Sequence, residues 1–142
     1  MRRARYGRIA ATLAMVLGVA ACTSDDATVT GAVQSEQLSP DGSVKALISV
    51  VGTGATDVDV SHVYLRHKDG SATHEIMRTN AWEMRVRWVS KSELSIVVPC
   101  GAVLGFNNLY YVMHPNGTID NIVRIVLTAD GPARCDAMEV GL

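Results

Sequence analysis

Turn signals recur at short intervals along this chain, and the stretches between them alternate in polarity and favour β-branched residues. Ser39-Pro40-Asp41-Gly42, Lys68-Asp69-Gly70, Ser90-Lys91-Ser92-Glu93 and Pro115-Asn116-Gly117 each read as a chain reversal. Pro presets φ, Asp and Asn bond to nearby backbone, and Gly accepts positive φ. The run Val44-Lys45-Ala46-Leu47-Ile48-Ser49-Val50-Val51 follows the first turn and is broken by Gly52-Thr53-Gly54. A second apolar stretch holds Val58, Val60, Val63 and Leu65, with the last two on one face by period-two counting. His74 to Arg78 reads as a short return strand. Met84, Val86 and Trp88 alternate with Arg85, Arg87 and Val89, the pattern of a half-buried strand. Leu94, Ile96 and Val98 share a face, and Pro99 ends their run. Leu109 to Met113, the Asn-Gly turn and Ile119 to Leu127 form the clearest hairpin. Residues 101–108 are Gly- and Asn-rich and read as a loop. No long stretch of 3.6 period exists outside the N-terminus. The expected fold is all-β, a small antiparallel sheet or β-sandwich.

The N-terminus obeys a different rule. Arg2, Arg3, Arg5 and Arg8 precede residues 9–21, which are apolar or small apart from Thr12 and Gly18. A basic start, a dozen or so apolar residues and a small-residue cut site describe an export signal. The stretch is short for a permanent span of a ~30 Å hydrocarbon core. Val19-Ala20-Ala21-Cys22 resembles the lipobox of bacterial lipoproteins, matching at Val19, Ala21 and Cys22. That resemblance implies a diacylglycerol on the Cys22 sulfur, cleavage before Cys22 and acylation of the new amine. The alternative is an ordinary secretory signal cut near Ala21. Two or more acyl chains hold a protein firmly to a bilayer, whereas one is marginal. The expected organisation is a signal peptide over 1–21, a flexible tether over 22–33 and a β-rich domain over 34–142. The tether expectation rests on the small, polar composition from Thr23 to Val33.

Loss of residues 1–21 leaves nine Lys and Arg against fourteen Asp and Glu, a net charge of −5. A nucleic-acid partner would need a basic stripe, and the sequence shows none. An electrostatic grip on anionic lipid is equally unsupported. Cys100 and Cys135 remain as an even pair in an exported chain, where thiols meet an oxidising space. We expect a Cys100–Cys135 disulfide, worth on the order of 4 kcal/mol through loop closure. A metal or reactive thiol is the alternative, without ligand spacing or a paired His to favour it.

Two patches resemble a family of small uncharacterised bacterial proteins, the DUF5412 type. One is Ser39-Pro40-Asp41-Gly42 with its following strand, then Gly54-Ala55-Thr56 ahead of Val60-Ser61-His62-Val63-Tyr64-Leu65. The other is Trp88-Val89-Ser90-Lys91-Ser92-Glu93-Leu94-Ser95-Ile96. Thr53 stands where that pattern often has Cys. The resemblance implies no activity. The same arrangement is similar to one blade of a TolB-like β-propeller, but a propeller needs at least about four blades of ~40 residues, more than this chain holds.

Chemistry-bearing residues are scattered. His62, His67, His74 and His114 show no ligand spacing, and no metal or other cofactor is expected. Asp57 and Asp59 share a strand face and read as a solvated edge rather than a cation site. Gly52-Thr53-Gly54 precedes no helix, so a phosphate cradle is not expected, and no Gly-x-Ser-x-Gly elbow occurs. Ser24 and Ser35 sit near the tether. Phe106, Tyr110 and Tyr111 cluster, and alternation sends one tyrosine inward and leaves the other for solvent or a binding patch. Asn116-Gly117-Thr118 is read as turn chemistry. The functional expectation is a lipid-anchored protein of the bacterial cell envelope, outside the cytoplasm. It would bind an envelope protein or ligand without catalysis; the alternative is an envelope hydrolase of unassigned active site. A deep pocket with convergent titratable groups would favour the enzyme. A free sheet edge would favour the binding module.

Overall fold

The computed structural model describes residues 27–52, 59–81, 83–99 and 102–129. Among the described residues there are nine strands and no helix. The strands are β1 (Ala32–Leu38), β2 (Val44–Val51), β3 (Val60–His67), β4 (Thr73–Thr79), β5 (Arg85–Ser90), β6 (Glu93–Val98), β7 (Val103–Phe106), β8 (Leu109–Met113) and β9 (Ile119–Ala129). One sheet runs β1-β2-β3-β4-β7 and the other β5-β6-β9-β8. The all-β expectation therefore holds, as a two-sheet sandwich. Every described pairing is antiparallel except β6 with β9, which run parallel. A parallel pair needs a crossover, here supplied by β7 and β8: the chain leaves the second sheet after β6, pairs β7 with β4, and returns.

Alternation builds the core. Val44, Ala46, Val63, Leu65, Ile76 and Met77 of the first sheet pack with Val86, Leu94, Ile96, Val98, Tyr110, Val112, Val123 and Ile125 of the second. On β5, Val86 faces inward while Arg85 and Arg87 stay wet, as the sequence pattern required. The sandwich is clamped along both sides. At β1 and β5, Gln37 Nε2 donates to Val86 O at 2.9 Å and Trp88 Nε1 donates to Gln37 O at 3.2 Å. At β4 and β8, Tyr110 Oη donates to Ala72 O at 2.7 Å.

The turns form as the residues dictate. Asp41 Oδ1 accepts from Ser39 Oγ at 2.7 Å, Ser43 N at 3.1 Å and Ser43 Oγ at 2.8 Å. Ser39 Oγ in turn accepts from Val44 N at 3.0 Å, fixing the start of β2. These donors, the Ser39 hydroxyl foremost, lower the Asp41 carboxyl from its ordinary 3.8 to about 2.

One expectation is corrected. Residues 101–108 are not simply a loop, because Val103 to Phe106 pair with β4 as an edge strand. Gly105 carries the loop signal, since glycine punctuates loops, yet the strand accommodates it and a Cβ there would make only ordinary contact with Arg78 Nη2. Within the expected all-β fold, β6 and β9 are the one described parallel pair, and their crossover leaves no short-range signature.

The expected tether over 22–33 overlaps the described residues from Ala27 onward, and there the chain has partners. Ala27 N donates to Thr73 O of β4 at 2.7 Å. Thr30 N donates to Tyr64 Oη at 3.3 Å, the Thr30 hydroxyl meets the same oxygen at 2.9 Å, and Ser49 Oγ donates to Thr30 O at 2.6 Å. This segment crosses the first sheet from β4 over β3 to β2. Gly31 then turns it into β1 at φ +80°, with the Val50 carbonyl well inside van der Waals distance of where a Cβ would stand. Strand β1 begins at Ala32, two residues before the expected domain boundary.

Candidate functional site

Chemistry concentrates on the margin formed by β4, β7 and β8. Among the described residues, β7 is the outermost strand of its sheet, and β8 is an outermost strand of the other. Asn107 and Asn108 join them and carry the chain from one sheet to the other. Asn107 N donates to Ile76 O at 2.7 Å, Asn107 Oδ1 accepts from Leu109 N at 3.2 Å, and Asn108 O accepts from Ile125 N at 2.8 Å. The link is therefore held by both sheets.

A cleft of about 260 Å³ opens beside β7. Glu75 to Arg78 of β4 line it together with Gly105, Phe106 and Asn107 of the chain paired beside them. Arg78 Nε lies 3.6 Å from Glu75 Oε1, and the same oxygen lies 3.2 Å from His62 Nδ1. The His62 ring stacks on Tyr64 with centroids 6.0 Å apart, and Tyr64 reaches Thr30. One carboxylate thus sits between a guanidinium and an imidazole, the latter nearly buried. The arrangement can present a positive fork and a negative oxygen to a polar chain lying in the cleft.

A second cleft, of about 280 Å³, lies on the other side of Asn107. His74, Leu109, Tyr110, Tyr111 and Met113 line it. The His74 and Tyr110 rings meet edge to face at 5.5 Å. Tyr110 is 3% exposed and Tyr111 46%, so alternation divided the pair as expected. Phe106, at 41%, stays open to solvent beside Leu104. Tyr111 is paired with Ile122 and Met113 with Ile119 across the β8–β9 hairpin, and all four are exposed.

The other residues singled out from the sequence fall elsewhere or outside the described residues. Cys22, Cys100 and Cys135 lie outside them, as do Ser24 and Asp57. His67 Nδ1 is 2.7 Å from Asp69 Oδ1 in the β3–β4 turn, where Ser71 and His67 hold the Asp69 carboxyl well below the usual carboxylate range. His114 Nε2 is 3.3 Å from Asp120 Oδ1 beside the β8–β9 turn. The four histidines thus have separate surroundings, and among the described residues no three of His, Cys, Asp and Glu converge as metal ligands would.

The grouping of His62, Glu75 and Arg78 was not read from the sequence, for a definite reason. Residues 75 and 78 fall on opposite faces of a regular strand. The β3–β4 register shifts here, with Val63 opposite Met77 and Tyr64 opposite Glu75. Ile76 is the extra residue, and the bulge brings Glu75 and Arg78 to one face. Comparison with known proteins adds no relative, since no family model, curated protein or solved structure matches the chain.

Proposed function

We propose that this chain is a bacterial lipoprotein, anchored through Cys22, that displays its β-sandwich outside the cytoplasm as a non-catalytic binding module for another envelope component. The observation that carries the binding half is the outer edge of β7, which carries exposed Leu104 and Phe106, with the Glu75–Arg78 pair on the neighbouring strand β4 lining the same cleft as Phe106. An extended segment of a partner can add to such an edge. Main-chain hydrogen bonds then supply affinity, and side-chain contacts at alternate positions supply selection. Phe106 offers the apolar anchor, and Arg78 and Glu75 the polar reading. The anchoring half rests on the match of Val19, Ala21 and Cys22 to the lipobox and on the export signal before it.

One experiment addresses both halves. Membranes from cells producing the full chain are solubilised in mild detergent, and the protein is recovered with whatever it holds. The Phe106→Asp variant is expected to remain in the membrane fraction and to lose its partner by about tenfold, as for an interface anchor worth about 1–2 kcal/mol. The Cys22→Ser variant is expected to leave the membrane fraction. Undiminished partner recovery with Phe106→Asp contradicts the edge site, and full retention of Cys22→Ser contradicts the anchor.

A further inference from the structure

The segment that leads in from Cys22 reaches the sandwich at one defined place. Ala27 N is hydrogen-bonded to Thr73 O, at the start of β4. Ala27 comes only five positions after Cys22. Five steps of chain reach at most about 18 Å in any conformation. If Cys22 carries lipid, Thr73 cannot stand much farther than that from the bilayer surface, so the margin of the sandwich around Thr73 is held near the membrane.

That margin is apolar where it meets β8. His74, next to Thr73, lines the second cleft with Tyr110, Tyr111 and Met113. Tyr111 and Met113 continue across the hairpin into Ile122 and Ile119. Met113, Ile119 and Ile122 are 50%, 55% and 44% exposed. Four exposed apolar or aromatic side chains in two cross-strand pairs are more than a scattered surface requires. A tyrosine at the edge of such a group suits a headgroup boundary, with its ring toward the apolar side and its hydroxyl toward water. Nearby, Arg124 pairs with Glu93, and Asp120 lies beside His114. With a net charge of −5 after residue 21, apolar contact rather than attraction to anionic lipid would hold this face.

We propose that the end of the β8–β9 hairpin, through Tyr111, Met113, Ile119 and Ile122, rests on the bilayer surface and fixes the orientation of the anchored domain. The β7 edge, on the other side of Asn107, then stays clear for a partner. This inference rests on the lipidation of Cys22 proposed above.

The test uses the full lipidated protein reconstituted into phosphatidylethanolamine–phosphatidylglycerol vesicles whose acyl chains carry bromine, a short-range quencher of indole emission. Y111W and M113W each place an indole on the proposed face. V89W places one at an exposed position on β5, the opposite edge of the same sheet. Flotation of the vesicles reports anchoring independently of quenching. The expected result is flotation of all three, loss of most of the added emission in Y111W and M113W, and none in V89W. Flotation with Y111W and M113W quenched no more than V89W overturns the orientation and leaves the anchor standing. Failure to float removes the anchor, and the orientation falls with it. The two tryptophan positions on β8 guard against one variant folding poorly.

Discussion

Gly31 is where the crossing segment becomes a strand, and its conformation admits no substitute. It combines φ +80° with a Val50 carbonyl that any added Cβ would overlap. Left-handed backbone costs a non-glycine residue about 1–2 kcal/mol, and the overlap adds to that. Gly31→Ala is expected to destabilise the domain by at least about 2 kcal/mol in chemical denaturation, with β1 losing amide protection first. Asp41 makes a different prediction at the same scale. Its folded carboxyl is lowered from 3.8 to about 2 by the Ser39 and Ser43 donors. Folding therefore favours the ionised form. The resulting stabilisation is fully present above pH 3.8 and is lost as pH falls toward about 2. Because the turn is exposed, the effect is small. An NMR titration of Asp41 should give a midpoint near 2, and Asp41→Asn, which keeps the acceptor oxygen, should disturb the turn less than Asp41→Ala while removing the pH dependence.

At the scale of elements, β6 is the test of how the two sheets are held together. Leu94, Ile96 and Val98 are buried on its inner face, and the strand lies between β5 and β9. Ile96→Ala is expected to cost about 2–5 kcal/mol through lost transfer energy and a residual cavity. Ser95 sits on the opposite face, so Ser95→Ala should change stability by no more than about 0.5 kcal/mol. The same strand shows what a period-two reading can and cannot deliver. The inward set on β6 and the Asn-Gly hairpin of β8 and β9 were legible, because both depend on neighbours in sequence. The β6–β9 pairing was not, because a strand's parallel partner leaves no local mark. The β4 bulge at Ile76 also escaped, and the Glu75–Arg78–His62 grouping escaped with it. Strand β7 was hidden by Gly105, a residue type that punctuates loops, although a Cβ there would make only ordinary contact with Arg78. The division of Tyr110 from Tyr111 was readable, since alternation alone decides it. That the outward residue would join Met113, Ile119 and Ile122 in one patch required the register.

At the scale of the whole molecule, two facts of placement come together. The sandwich is clamped along the β1–β5 side by Gln37 and Trp88, and along the β4–β8 side by Tyr110 and Ala72. Its leading segment is fastened to the second of these sides, five positions after Cys22. A lipid at that position would bring one margin of the sandwich to the membrane and leave the β7 edge facing the surrounding envelope. Binding and anchoring would then occupy neighbouring but separate parts of one surface, divided by Asn107, which touches both clefts. The most direct measurement is the intact mass of the protein purified from native membranes. Lipid anchoring predicts a chain beginning at Cys22 with its mass raised by a diacylglycerol and, where the amine is acylated, a further fatty acid. A chain that retains Met1, or one cut in the same region that carries no fatty acid, would contradict it.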